Sequence, residues 1–279
     1  MTNLSITSVQ NPRIKDAARL RDRRQRNKQG RFLIDGAREL DRAMQAGLEL
    51  VDVFVCESLC QSVESKSVLA RLSSDNLSHD SRFNIWHVTP QVFAKLAFGE
   101  RAEGVVAVAA TREKRLDDLE LPAAPLVAVL AGVEKPGNIG AVLRSADGAG
   151  VDALIVADGG TDLYNPNTIR ASLGTIFSIP VCTAQEEETL AWLRARGMRI
   201  FAARLDAALD YSTANFCGPT AIVLGSEASG LDSIWSVDDV VPIRLPMLGI
   251  ADSLNVSATA AVLFYEALRQ RGDRGESAD

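Results

Sequence analysis

Apolar residues recur along this chain in two rhythms. Short continuous runs, PLVAVLAG (125–132), DALIVAD (152–158), FSIPVCT (177–183), RIFAARL (199–205), TAIVLG (220–225) and DVVPIRL (239–245), read as strands. Runs of this kind, bounded by Gly, Pro or Asp, are the pattern of strands buried on both faces. Between them the apolar positions return every three or four residues, which predicts helices over 138–150, 165–174 and 186–197 and from Val256 to Arg271. Asn165 is placed to cap the second of these, with Pro166 in its first turn. Buried strands separated by amphipathic helices predict an α/β fold whose mostly parallel sheet carries helices on both faces.

The first part of the chain alternates as well. Strands are predicted at 32–34, 51–56, 84–88 and 104–111, and helices at 36–46, 67–73 and 90–98, after a basic helical stretch RIKDAARLRDRRQRNKQGR. This is a small α/β unit over 1–112. Residues 113–124, charged and then Pro-rich, are the expected linker, 125–271 the second domain, and 272–279 a disordered tail. A chain of 279 residues has the length of about two domains.

Charge changes this picture more than composition does. The net charge of −6 disfavours a nucleic-acid partner on its face, yet residues 1–38 hold ten Lys or Arg against three Asp or Glu, and the remainder 20 against 33. A basic arm on an acidic body suits phosphate contact at one end; a solvated helix face is the competing reading of the same residues. No apolar run reaches the length of about 18 residues that a membrane span needs. The N-terminus lacks a secretory apolar segment, so a cytoplasmic location is expected. Cys56, Cys60, Cys182 and Cys217, like His79 and His87, show no metal-ligand spacing, so reduced thiols and no metal are expected.

Parallel sheets bind ligands beyond the carboxyl ends of their strands. Three segments follow strands there: AGVEKPGNIGAVLRSADGAG, LGSEASGL and LPMLGIADSLNVSATA. The first matches neither GxGxxG nor GxxxxGK[ST], the second has no GxSxG, and no histidine stands in this domain to act as a hydrolase base. Locally, Ser253 and Asn255 read as caps of the last helix, and Glu227 as a helix-start acid. Asn165 and Asn167 read as caps rather than ligands.

Together the three segments resemble the motifs of the SpoU/TrmH-type RNA ribose 2′-O-methyltransferases of the SPOUT superfamily. The first motif is matched by Asn138, Gly140, Ala141, Arg144, Ala146 and Asp147. The second is matched by Leu224, Gly225, Glu227, Gly230 and Leu231, and the third by Pro246, Met247, Gly249, Ser253, Leu254, Asn255, Val256 and Ser257. Arg244-Leu245 before Pro246 departs from the usual Ile. Residues 1–112, including FLIDGARELDRA, resemble more loosely the ribosomal-protein-like RNA-binding domain that precedes the catalytic domain in many members.

The resemblance implies a SPOUT-type sheet with a C-terminal trefoil knot, S-adenosylmethionine as cofactor and RNA as substrate. Ribosomal RNA, in particular the 23S molecule, is favoured over transfer RNA because of the separate first domain. A transfer-RNA methyltransferase and a non-catalytic RNA-binding or ribosome-assembly protein stay open as alternatives. Leu224, Gly225, Ile243, Leu245 and Leu254 are then expected to bind the cofactor, and Asn138, Glu227, Ser253 and Asn255 to shape and orient the site. Arg144 is the expected RNA-facing catalytic residue, and Arg31, Arg38, Arg144 and Arg170 the expected RNA contacts. The resemblance also implies a homodimer packed through the last helix, where Ser257, Ala258, Ala260 and Ala261 are small.

Overall fold

In the computed structural model the described residues are 4–77, 83–98 and 103–272. His79 and residues 273–279 of the expected tail lie outside them, and Gly272 closes the last helix. The chain divides into two compact units, Met1–Arg112 with Asp162–Ser178, and Glu113–Thr161 with Ile179–Asp279.

The first unit holds strands β1 (Ser5–Ile6), β2 (Arg31–Asp35), β3 (Leu50–Val55), β4 (Asn84–Val88) and β5 (Val105–Ala110) in the order β1-β4-β3-β5-β2. β1, β4 and β3 run parallel, whereas β5 pairs antiparallel with both β3 and β2. The helices are α1 (Pro12–Arg19), α2 (Arg23–Gln29), α3 (Ala37–Gln45), α4 (Val63–Leu77) and α5 (Pro90–Leu96). The basic stretch is thus two helices. Asp22 breaks it, its side chain accepting from Gln25 N as the cap of α2, and Gly30 in the left-handed conformation ends α2.

That stretch is also less open than its charge implies. Arg26 is 2% exposed; its guanidinium pairs with Asp162 at 2.6 Å and donates to the carbonyls of Leu20 and Arg21 at 2.8 Å. Arg13 lies over the Trp86 ring at 4.5 Å. Lys15, Arg24 and Lys28 are exposed.

The second unit holds β6 (Leu126–Ala131), β7 (Ala153–Ala157), β8 (Val181–Ala184), β9 (Arg199–Ala203), β10 (Leu209–Asp210), β11 (Thr220–Leu224) and β12 (Val240–Arg244). Their order is β10-β12-β9-β11-β6-β7-β8, and each pairing is parallel. Alternate residues of the central strands, Val127, Val129, Ile155, Ile200 and Val223 among them, form one buried cluster with Leu190, Trp192 and Leu193 of α8 (Glu186–Ala195). Leu126, Ala128, Leu130, Ile222 and Leu224 are buried without joining that cluster. On their side α9 (Val256–Gly272) packs on β11 and on α6 (Pro136–Gly148), so helices cover both faces. Pro242 fits inside β12 because β10 reaches only Ile243 and Arg244, so no ladder partner waits for its missing N–H on that side.

The compact units and elements depart from three expected bounds. The boundary does not leave 125–271 whole: helix α7 (Pro166–Ala171), capped by Asn165 as expected, sits in the segment Asp162–Ser178 that belongs with the first unit. Aromatic and charged anchors explain it. Tyr164 stacks on Phe32 with ring centroids 4.2 Å apart, Phe177 lies 6.0 Å from the same ring, and Arg42 donates to the Leu173 carbonyl at 2.9 Å. Residues 113–124, expected as a linker, belong to the second unit, where Leu119 is buried and Leu116 and Leu121 pack on the α8-side core. The run at 177–183 begins as a short helical turn, Thr175–Phe177, and becomes strand only at Val181.

Candidate active site

The loops after β9, β11 and β12 and the start of α9 enclose a cavity of about 420 Å³, a size that suits a small organic ligand. Leu224, Gly225, Ile243, Leu245 and Leu254 all line it, as do Glu227 and Ser253. Its walls are mainly apolar, completed by Ala203, Met247 and Val256, with polar groups at the strand-end backbone, Ser226, Glu227, Ser229, Ser253, Thr259 and the pair Arg204–Asp206.

Gly225 shows why this loop can be so tight. A Cβ there would stand 2.5 Å from the backbone of Gly230 and 2.8 Å from Leu231 N, closer than real Cβ contacts allow. The turn that brings Gly230 back is closed by reciprocal hydrogen bonds between Ser226 and Gly230 at 3.0 Å, and Ser226 Oγ accepts from the amides of Ala228 and Ser229.

At the cavity's rim Glu227 gathers three donors from two other segments. Its Oε1 accepts from Asn138 Nδ2 of α6 at 3.2 Å and from Asn255 Nδ2, and its Oε2 accepts from Lys135 Nζ. Asn255 Oδ1 meanwhile caps α9, accepting from Ser257 N at 2.9 Å and Ser257 Oγ at 2.6 Å. The hydrogen bond and charge of Lys135 hold the Glu227 carboxyl below the usual range, against partial desolvation, with Asn138 and the Val256 N–H adding to the effect. Of the two expected caps, Asn255 fills that role and Ser253 does not. Glu227 is a bridge between helix starts rather than the first acid of one.

Arg144 is exposed on α6 with no hydrogen-bond or ion-pair partner among the described residues, and it does not line the cavity. Arg31, first residue of β2, and Arg38, in the first turn of α3, are exposed. Arg170 is half-buried in the first unit, beside Asp35 and 3.4 Å from the Phe98 carbonyl to which it donates. Lys135, Thr259 and the Arg204–Asp206 pair escaped sequence reasoning. Lys135 had one signal, its place directly before the first-turn proline of α6.

An all-parallel sheet whose strand-end loops enclose an apolar cavity, with polar side chains gathered at one rim, is the arrangement of an α/β domain with room for a small molecule. The SpoU rRNA Methylase family model matches residues 125–265, and an MRM3-like substrate binding domain matches residues 11–107. The chain belongs to the SpoU rRNA methylase family. It is 31% identical over 91% of its length to the 23S rRNA (uridine(2479)-2′-O)-methyltransferase of Streptomyces viridochromogenes, covering 88% of that protein. Among solved structures it resembles an RNA 2′-O ribose methyltransferase, with a TM-score of 0.83 and 43% identity over 96% of this chain and 99% of that one. The AdoMet-bound rRNA methyltransferase of Sinorhizobium meliloti gives a TM-score of 0.84 at 26% identity, covering 95% and 97%.

Proposed function

We propose that this protein transfers the methyl group of S-adenosylmethionine to a ribose 2′-hydroxyl of ribosomal RNA, with 23S RNA as the target. The observation that carries this reading is the junction at Glu227. Asn138, Glu227 and Asn255, one from each strand-end segment, bond to one another beside an apolar cavity, and relatives spanning nearly the full chain are named for this reaction. Acting on ribosomal RNA agrees with a cytoplasmic location, and among the described residues no helix is long and apolar enough to cross a membrane.

The cavity fits the cofactor: about 420 Å³, apolar walls for a purine, and a glycine-tight turn that bares backbone groups. Bound there, S-adenosylmethionine supplies an electrophilic methyl on a sulfonium. Leu224, Gly225, Ile243, Leu245 and Leu254 hold its adenosine by backbone and apolar contact and keep water out. Ser253, Asn138, Glu227 and Asn255 fix the loops, so that the hydroxyl arrives in line with little motion left to freeze out.

Arg144 stands outside this network with its charge unspent. A guanidinium is a donor with no free lone pair to offer, so accepting the hydroxyl proton is expensive for it. Binding the neighbouring phosphate and stabilising the developing oxyanion suits it better, with the proton leaving to phosphate or solvent. Replacing Arg144 by Lys is expected to cost at least about tenfold in turnover while cofactor affinity holds. A lysine enzyme with near wild-type turnover would remove the need for the planar fork.

Arg31, Arg38 and Arg170 of the first unit contact RNA backbone in this proposal. The protein acts as a homodimer. Ala258, Ala261, Tyr265 and Leu268 share one stripe of α9, and Tyr265 and Leu268 are 51% and 41% exposed, an apolar strip that a second copy would cover. A fully active monomer in light scattering would refute it. The trefoil knot belongs to the same proposal, supported by the loops after β11 and β12, which come together to line one cavity.

The test is methyl transfer from labelled S-adenosylmethionine, with 2′-O-methyl mapping of ribosomal and transfer RNA from a deletion strain against its parent. Loss of one 23S methyl mark is the expected result. Loss from transfer RNA would move the substrate, and cofactor binding without any lost mark would leave a non-catalytic RNA-binding protein.

A further inference from the structure

Glu227 takes three donors on two oxygens, and only one of them carries charge. Lys135 stands at the N-cap of α6 but caps nothing with its side chain. It reaches instead to the loop after β11. We propose that Lys135 is a positioning residue for methyl transfer, which by pairing with Glu227 keeps that side chain a pure acceptor and so orients Asn138 and Asn255 at the cavity rim. The inference rests on the methyltransferase reading above.

The physical chain is short. An ionised carboxylate accepts only, so both amides must turn their NH2 groups toward Oε1. That leaves Asn255 Oδ1 facing the other way, where it accepts from Ser257 N and Oγ and caps α9. A protonated Glu227 would offer an O–H where an amide N–H now points. Asn255 would then lose either this bond or its cap, and the neighbouring Ser253, Leu254 and Val256 line the cavity.

The positive end of α6 favours the same charge state. The other charged groups near the cavity are committed elsewhere: Arg204 and Asp206 form a bidentate pair at 2.9 Å, and exposed Asp252 makes no bond to Glu227. As an exposed ion pair, Lys135–Glu227 adds little to stability. Its effect is on which way the amides face.

The experiment is calorimetric titration of the full-length protein with S-adenosylmethionine between about pH 5 and about pH 8, for wild type, Lys135→Met and Lys135→Arg. Lys135→Met is expected to match wild-type affinity near about pH 8 and to bind a few-fold more weakly than wild type near about pH 5, the acid-side loss of affinity being moved to higher pH with the melting temperature unchanged. Lys135→Arg is expected to restore both affinity and profile. A Lys135→Met protein with wild-type affinity and pH profile overturns the proposal. So does an affinity loss equal at every pH that arginine fails to rescue, since that describes damage to the fold rather than to the charge of Glu227. Wild type that binds no cofactor at any pH overturns the methyltransferase reading, and this inference with it.

Discussion

Gly225 and Asp35 show what single residues settle in the two units. Replacing Gly225 by Ala puts a methyl group 2.5 Å from the Gly230 carbonyl carbon and oxygen, two backbone atoms that cannot swing aside. The loop must open, so cofactor affinity is expected to fall by at least about tenfold in calorimetry while the folded core survives. Asp35 closes β2 with a carboxyl whose pKa is raised from 3.8 to about 6, first by burial and then by Glu103 and Glu39, against the Phe98 N–H and Arg170. Because the folded form holds its proton to higher pH than the unfolded one, Asp35 favours folding below its ordinary pKa, and that advantage is lost as pH rises through about 6. Asp35→Asn keeps an acceptor for Phe98 N. It is expected to stabilise the protein at neutral pH by on the order of 2 kcal/mol and to flatten the fall in denaturant stability between those pH values. Equal stability of variant and wild type across that range would contradict the assignment.

At the scale of elements, α9 is tied down at both ends. Its start is the Asn255 cap. Near its end Arg271 donates to the carbonyls of Ala124, Pro125, Phe216 and Gly218 at 2.7 to 3.1 Å, stitching the helix to the segments that lead into β6 and β11. Arg271→Met removes every one of these donors, while Thr220 still donates to the carbonyls of Pro125, Phe216 and Gly218. Losing the charged donor is expected to destabilise the protein by about 1–3 kcal/mol, read as a lowered denaturation midpoint. The helix itself was legible in the sequence from its apolar spacing. Arg271 was not, because in sequence it is one basic residue in a last turn, where the helix dipole already accounts for it. Likewise the basic N-terminal stretch reads as one charged helix, and only packing turns Arg26 inward to Asp162.

For the whole molecule, the separation of charge bears on how RNA is bound. Neutralising the exposed Lys15, Arg24 and Lys28 to Ala is expected to weaken RNA binding and to reduce the slope of log affinity against log salt by about 2, with stability unchanged. An unaltered slope would place the RNA elsewhere. The order of elements and the three motif segments could be read from the sequence, because alternating burial and glycine-tight turns leave local marks; the residues that line the cavity were expected only through the family resemblance. The partition of the chain could not. Residues 162–178 look like one more strand–helix step, and the stack of Tyr164 on Phe32 joins residues 132 positions apart, a pairing no local pattern encodes. The same holds at the rim of the cavity. Composition and spacing supply Lys135, Asn138, Glu227 and Asn255 as separate polar residues. Their meeting depends on β6 and β11 lying side by side and on α6 packing against α9. That arrangement is set by burial of apolar faces across the whole second unit, and only the tertiary structure decides it.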